Sequence, residues 1–400
     1  MVIKEGYKQT EIGVIPKDWE VKTLGDVGDV KMCRRIFNHE TTSNGIIPFY
    51  KIGTFGKEAD AYISEDLYND YRQKFSFPNK GDILISAAGT IGRTIIFDGK
   101  DSYFQDSNIV WIDNKNYIIS NDFLYYVFQI VKYQTEGGTI QRLYNSILKA
   151  TKFVCPSKPE QTAIATALSD ADGLITGLEK LIAKKRNIKQ GAMQQLLQPK
   201  EGWEVKKFKD LCWFQEGPGL RNWQFTKRGI KVINVTNLVN GILNLDRTSR
   251  HISIDEFNKM YQHFEIDEND IVVASSGNSY GKVAVVRKQD LPLVMNTSVI
   301  RFKPFESLDY NFLFIFLKSV HFKEQIDLLI TGGAQPNFGP VHLNRIVINI
   351  PPSKEEQIRI SSILTDMDSE LSALEQKIEK YKKVKLGMMQ ELLTGKTRLN

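Results

Sequence analysis

Residues Ser157–Leu197 read SKPEQTAIATALSDADGLITGLEKLIAKKRNIKQGAMQQLL, and Ser353–Leu393 read SKEEQIRISSILTDMDSELSALEQKIEKYKKVKLGMMQELL. They align without a gap, each residue meeting the one 196 positions further on, and 18 of 41 positions are identical. Unrelated segments would agree at roughly one position in twenty. The chain is therefore an internal duplication, and the repeat governs its architecture. Both copies begin beside proline (Pro156; Pro351 and Pro352), where the ring costs no helical hydrogen bond. Ser157 with Glu160, and Ser353 with Glu356, have the spacing of a capping box.

Inside the first copy, Ile164, Leu168, Ala171, Ile175, Leu178 and Ile182 recur at alternating intervals of four and three. The second copy repeats this with Ile360, Leu364, Met367, Leu371, Leu374, Ile378 and Tyr381. That spacing predicts heptad seams on two helices of about 40 residues, each needing a partner. The nearest partners are the two helices themselves, as an antiparallel coiled coil with a pseudo-twofold axis. Pairing in trans, as a homodimer of the free chain, is the other arrangement the pattern allows. A helix of this length spans roughly 60 Å at 1.5 Å per residue. Two sites on one face of B-DNA lie about 34 Å apart, or a multiple of it, so the pair has the reach of a spacer.

The repeat extends upstream more weakly. Asp18-Trp-Glu-Val-Lys22 answers Gly202-Trp-Glu-Val-Lys206, and Gly81-Asp-Ile83 answers Asn269-Asp-Ile271. The division read from it is a globular domain at 1–155, a helix at 156–198, a second domain at 199–350 and a second helix at 351–400. Short β-type runs with glycine turns fill both domains, among them Asp82–Ser86, Thr94–Phe97, Ile271–Ala274 and Lys282–Arg287. Each domain also has one helix-like apolar stretch, Asp122–Val131 and Tyr310–Val320. The fold class is α+β, two similar strand-rich domains joined by two long helices. The phase of the repeat also suggests that the N-terminal arm returns to the end of the second helix.

Net charge is +6 with a pI near 8.9, a mildly basic balance that permits contact with phosphates. Three scattered cysteines fit a reducing cytoplasm, and no apolar run is long enough for a membrane span. No methyltransferase, dinucleotide-binding, phosphate-loop or metal-binding pattern is present, so no catalytic residue and no metal ligand is expected.

Function is then sought in loops. Ser86, Thr90 and Arg93 lie in one glycine-bearing loop, matched by Ser275, Ser276, Asn278, Tyr280 and Lys282. Small residues admit close approach and a following cation meets phosphate; a plain kinked hairpin is the alternative. Gln141 and Arg142, matched by Gln335 and Asn337, suit adenine and guanine edges in the major groove, or simply a surface loop. Tyr50, Lys51 and Thr54, facing Asn234 and Asn237, end a third pair of segments that could read bases but reads better as core strand with polar edges. Arg72 and Arg221 complete the candidate set for DNA contact.

With these features in hand, the chain resembles the specificity subunits of type I restriction–modification systems. The resemblance rests on Thr10-Glu-Ile-Gly-Val-Ile-Pro-Lys-Asp-Trp-Glu-Val-Lys22, on Pro156-Ser-Lys-Pro-Glu-Gln161 and Pro351-Pro-Ser-Lys-Glu-Glu-Gln357, and on helices ending in Gln-Gln-Leu-Leu or Gln-Glu-Leu-Leu-Thr-Gly-Lys. It implies a non-catalytic, DNA-binding chain of a bacterial defence complex. Each domain would read half of a bipartite double-stranded site, and the helices would dock two methyltransferase subunits. S-adenosylmethionine would sit on those subunits, and ATP with Mg2+ on two restriction subunits where these join. A coiled-coil scaffold whose domains bind proteins is the competing reading.

Overall fold

Ile83, Leu84 and Ile85 form an unbroken apolar run, and the strand Ile83–Ser86 is buried along its whole length. Such a run belongs to a strand covered on both faces. In the computed structural model, which describes residues 3–133, 142–330 and 336–399 (apart from the Asn278 side chain), alternate residues feed separate cores. Ile83 and Ile85 join the core that contains Phe123, Val127 and Leu168, while Leu84 joins one built from Phe55, Tyr103 and Trp111. The strand Ile271–Ala274 divides in the same way, Ile271 and Val273 to one side, Val272 and Ala274 to the other.

The chain forms two compact units, 1–179 with 376–400, and 180–375. The boundary thus falls inside each long helix rather than at its ends, so each globular domain carries half of both helices. In the first unit Val30–Lys31, Ile109–Ile112, Ile83–Ser86 and Thr94–Ile96 form an antiparallel sheet in that order. A smaller sheet places Ile47–Tyr50 between Tyr62–Ile63, antiparallel, and Tyr103–Phe104, parallel. A two-stranded ribbon joins Glu20–Thr23 to Lys152–Cys155.

The second unit has the same plan. Cys212–Glu216, Val299–Pro304, Ile271–Ala274 and Val283–Val285 repeat the main sheet, which continues through Gly241–Leu243 and Leu238–Val239. Ile230–Ile233 lies between His251–Ile252, antiparallel, and Leu293–Met295, parallel. Glu204–Lys207 pairs with Val347–Ile350. The expected apolar helices are Asn121–Ile130 and Tyr310–Lys318, and in the second unit the helix Val320–Leu329 follows. Among the described residues no helix is long and apolar enough to cross a membrane.

The long helices are Lys158–Leu196 and Lys354–Leu392, 39 residues each. Ile175, Ile182, Leu371 and Ile378 are buried in the seam, with Leu178, Met367 and Leu374 half-buried. Ile164, Leu168, Ile360 and Leu364 depart from the plain coiled-coil reading, because they are fully buried in the domain cores. Cross-helix ion pairs fix the direction. In the first unit Lys385 meets Asp172 at 2.6 Å and Lys382 meets Glu179 at 3.4 Å. In the second, Arg186 meets Glu375 at 2.6 Å and Lys189 meets Asp368. Numbers rise on one helix as they fall on the other, so the pairing is antiparallel. The pairs are also reciprocal: Asp172 and Asp368 are repeat equivalents, as are Lys385 and Lys189.

The capping boxes form only in part. Ser353 Oγ accepts from the Glu356 N–H at 3.4 Å, but the Glu356 carboxylate turns to Arg359. Glu160 is drawn away altogether. Its carboxylate accepts the Trp19 indole N–H at 2.9 Å and the Arg398 guanidinium at 2.5 and 2.9 Å. Arg398 also grips Asp18 through two bonds of 2.9 and 2.8 Å and lies 5.6 Å over the Trp19 ring. Tyr7 Oη donates to the Gly395 carbonyl at 3.0 Å. The N-terminal arm therefore does meet the end of the second helix, as the repeat suggests.

The next residue of each repeat anchors the helix start. Gln161, fully buried, accepts the Ser120 N–H at 2.9 Å and donates to the carbonyls of Ile118 and Pro156 at 2.9 and 3.0 Å. Gln357 does the same with the Asp309 N–H at 2.8 Å and the Ser307 and Pro351 carbonyls at 3.2 and 3.1 Å.

Two outcomes follow. Gln161→Ala or Gln357→Ala leaves a buried N–H and two carbonyls without partners and should cost about 2–3 kcal/mol in denaturant titration, each within its own unit. Arg398→Ala should cost about 2 kcal/mol, and Arg398→Lys should restore only part of it, lacking the planar fork. Hydrogen bonds from Arg398 hold the Asp18 carboxyl below its ordinary range. That contribution is present at neutral pH and fades as pH falls through the folded-state value, so the gap between wild type and Arg398→Ala should narrow below about pH 4.

Candidate nucleic-acid interface

Ser86 ends a core strand, and its hydroxyl closes the loop that follows. It donates to the Thr90 carbonyl at 2.5 Å and accepts the Arg93 N–H at 2.9 Å. Gly89 and Gly92 take φ of +65° and +80°, a region that suits glycine. At Gly92 a Cβ would also come within 2.8 Å of the Tyr133 ring.

This loop meets both other segments singled out in the sequence. Ala88 forms a β-bridge with Arg142, and the Leu143 N–H donates to the Ala87 carbonyl at 2.9 Å. Arg93 Nη2 donates to the Ile52 carbonyl at 3.2 Å while its guanidinium lies 5.2 Å over Phe55.

A turn at 105–108 ties the three together. The Gln105 N–H donates to the Tyr50 carbonyl at 2.9 Å, and the Gln105 side chain accepts the Ile52 N–H at 2.9 Å. Arg142 Nη2 donates to the Ser107 carbonyl at 3.3 Å, and the Ala87 N–H to the Asn108 carbonyl at 2.8 Å. The second unit keeps the main-chain frame. Ser276 bridges Asn337, the Asn296 N–H donates to the Ile233 carbonyl at 3.0 Å, and the Ser275 N–H to the Ser298 carbonyl at 2.9 Å. Each domain thus gathers three distant segments around one turn, on loops held by strands.

The candidates fare differently. Ser86, Ser275 and Asn237 are corrections: all three are fully buried and their polar atoms serve the fold. Ser275 Oγ donates to the Thr297 carbonyl at 3.3 Å. Asn237 accepts the Asn234 N–H at 2.9 Å and donates to the Asn244 carbonyl at 2.9 Å. The Asn234 side chain caps the Thr236 N–H at 2.9 Å.

Tyr280 is also turned inward. Its hydroxyl donates to Asp327 and accepts from Lys323 at 2.8 Å, tying the loop to the helix Val320–Leu329. Arg72 stands on the helix Glu65–Lys74, held by the Tyr68 hydroxyl at 3.0 Å and Asp101 at 3.4 Å, and its contacts are not with the loops. The Tyr50 ring stacks on Phe104 at 5.8 Å, and Lys51 pairs with Asp60 at 2.8 Å.

Thr90, Lys282 and Asn337 are exposed at the loop cluster, Thr54, Arg93, Arg142 and Ser276 partly so; Arg221 is exposed on a neighbouring segment. Gln141, Gln335 and the Asn278 side chain lie outside the described residues.

The sequence reading missed Arg35, Gln105, Asp106, Ser107, Asn296 and Thr297, which the turn brings to the same place. For the turn residues the one local sign is polar residues between two short apolar strands; Arg35, outside the turn, carries no such sign. The exposed groups are hydroxyls, amides and guanidinium or ammonium ions, the set that pairs with base edges and phosphates. Burial pushes the Cys33 thiol up to about 12, and Cys155 and Cys212 rise for the same reason, so none of these three thiols is primed as a nucleophile. Among the described residues no group of three or more His, Cys, Asp or Glu is placed to hold a metal ion.

Comparison with known proteins agrees with this architecture. The family described as Type I restriction modification DNA specificity domain matches twice, at 16–190 and 200–383. The MjaVIII specificity subunit of a type I restriction enzyme from Methanocaldococcus jannaschii is 28% identical over 99% of this chain and 97% of its own length. A putative type I specificity subunit from Haemophilus influenzae is 57% identical over 160 residues, 40% of this chain and 42% of its own length. Among solved structures, the S subunit of a type I restriction–modification system from M. genitalium shares the fold with a TM-score of 0.57 at 17% identity, covering 98% of both chains. A chain from work on assembly and conformational transition of the type I R-M system gives 0.62 at 13%, covering 96% of this chain and 99% of its own. With both halves matched by the family model, the chain belongs to the type I restriction–modification DNA specificity subunit family.

Proposed function

We propose that each domain of this chain reads one half of a bipartite double-stranded DNA site. One observation carries this reading: both domains build the same main-chain frame around a turn, Tyr50–Gln105 and Ala87–Asn108 in one, Ile233–Asn296 and Ser275–Ser298 in the other, yet present different side chains from it. A shared frame with diverged contents suits two readers of unlike sequences. The long helices set the spacing between the half-sites and dock two methyltransferase subunits, with restriction subunits joining where the system has them. S-adenosylmethionine belongs to the methyltransferase partners and ATP with Mg2+ to the restriction partners; this chain contributes recognition and no reaction step. It works in the cytoplasm, where the DNA is.

The test is adenine methylation across a genome in cells carrying this gene with its methyltransferase, against deletion of this gene alone. Deletion should abolish methylation at one two-part motif, and replacing residues 199–350 with those of another family member should change only one half of it. Unchanged methylation on deletion, with the methyltransferase active, would instead favour a scaffold whose domains bind proteins.

A further inference from the structure

The two turns differ at a position where the first carries an ion pair. In the first domain Arg35 Nε donates to Asp106 Oδ2 at 2.9 Å. The Arg35 side chain is 60% exposed, whereas that of Asp106 is only 17% exposed. Strand register identifies the matching positions in the second domain. Lys31 pairs with Trp111 and Gln215 with Arg301, and both partners lie three residues after the turn residue that bonds the neighbouring strand, Asn108 or Ser298. Four residues beyond Lys31 stands Arg35; four beyond Gln215 stands Gly219. The contact across is kept, since a Cβ on Gly219 would lie 3.8 Å from Thr297 Cγ2. One position therefore holds a guanidinium braced by a carboxylate in the first domain and a bare glycine beside threonine in the second.

The brace has a chemical consequence. Asp106 is fixed by its turn: the Asn108 N–H donates to its carbonyl at 2.5 Å, and the next residue, Ser107, takes a left-handed φ of +54°. Its carboxylate occupies Nε, and neither Nη of Arg35 has a partner among the described residues. Two parallel N–H donors held outward match the O6 and N7 acceptors of guanine in the major groove. A cation serving only as a phosphate contact needs no such orientation.

We propose that Arg35 reads a guanine in the half-site of the first domain, with Asp106 as the positioning residue that aims it. The inference rests on the proposed DNA-reading function. It is tested with the complete complex of this chain and its methyltransferase, offered a duplex library randomised in both half-sites, the methylated products being sequenced. The half assigned to the first domain is the one that survives replacement of residues 199–350.

That half should contain a fixed G·C pair. Arg35→Ala should relax this one position by about 10- to 100-fold while every other position keeps its preference. Asp106→Asn, which keeps the shape and removes the charge, should relax the same position less. Retained selectivity in the second half-site shows that the variants are folded. The inference is overturned if the first half-site has no fixed G·C pair, or if Arg35→Ala leaves the motif intact. It is equally overturned if Arg35→Ala weakens all sequences alike with a salt slope reduced by about 1, the mark of a phosphate contact. A wild-type complex that selects no motif would sink the DNA-reading function itself, a separate result.

Discussion

An apolar stripe along a 39-residue helix has to be covered, and the rest of this chain is arranged around that requirement. In each unit half of one long helix lies antiparallel against half of the other, with Ile175 and Ile378, or Ile182 and Leu371, buried. The Arg186–Glu375 and Lys382–Glu179 pairs are exposed, worth only tenths of a kcal/mol to about one each, while Lys385 and Lys189 are half-buried, and all four pairs set direction and register. What binds the helices to the domains is stronger. The first apolar residues of each seam sit in a domain core, and a buried glutamine amide ties the first turn to the loop that opens the neighbouring helix. Domain and helix are one packed body for that reason, and the compact units cut the helices at mid-length.

The parts legible in the sequence are those written in periodic form. Heptad spacing gave the helices, apolar runs gave the central strands, and the fixed offset of the repeat gave the duplication. Glu160 shows where local pattern fails. Its spacing from Ser157 spells a capping box, but Trp19 and Arg398, 141 residues before it and 238 after it, offer better partners. No window around Glu160 contains that information.

The candidate site divides along the same line. The three segments were identified by residue type, and the structure brings them together. Which members face outward was beyond reach, because Ser86 closing its own loop and Ser276 at the surface have the same chemistry. The turn at 105–108 went unnoticed since its importance comes from crossing between two sheets, which only the assembled topology reveals.

The frame around that turn is stitched mainly by N–H and carbonyl groups. Main-chain bonds of this kind are indifferent to what the side chains are, so mutation can rewrite the surface of one domain without disturbing its scaffold or the other domain. The position shared by Arg35 and Gly219 shows how far such rewriting has gone within one chain. If each domain reads its own half-site, as proposed, the contents of the two domains can change as independent letters, and the number of possible words grows as the square of the alphabet.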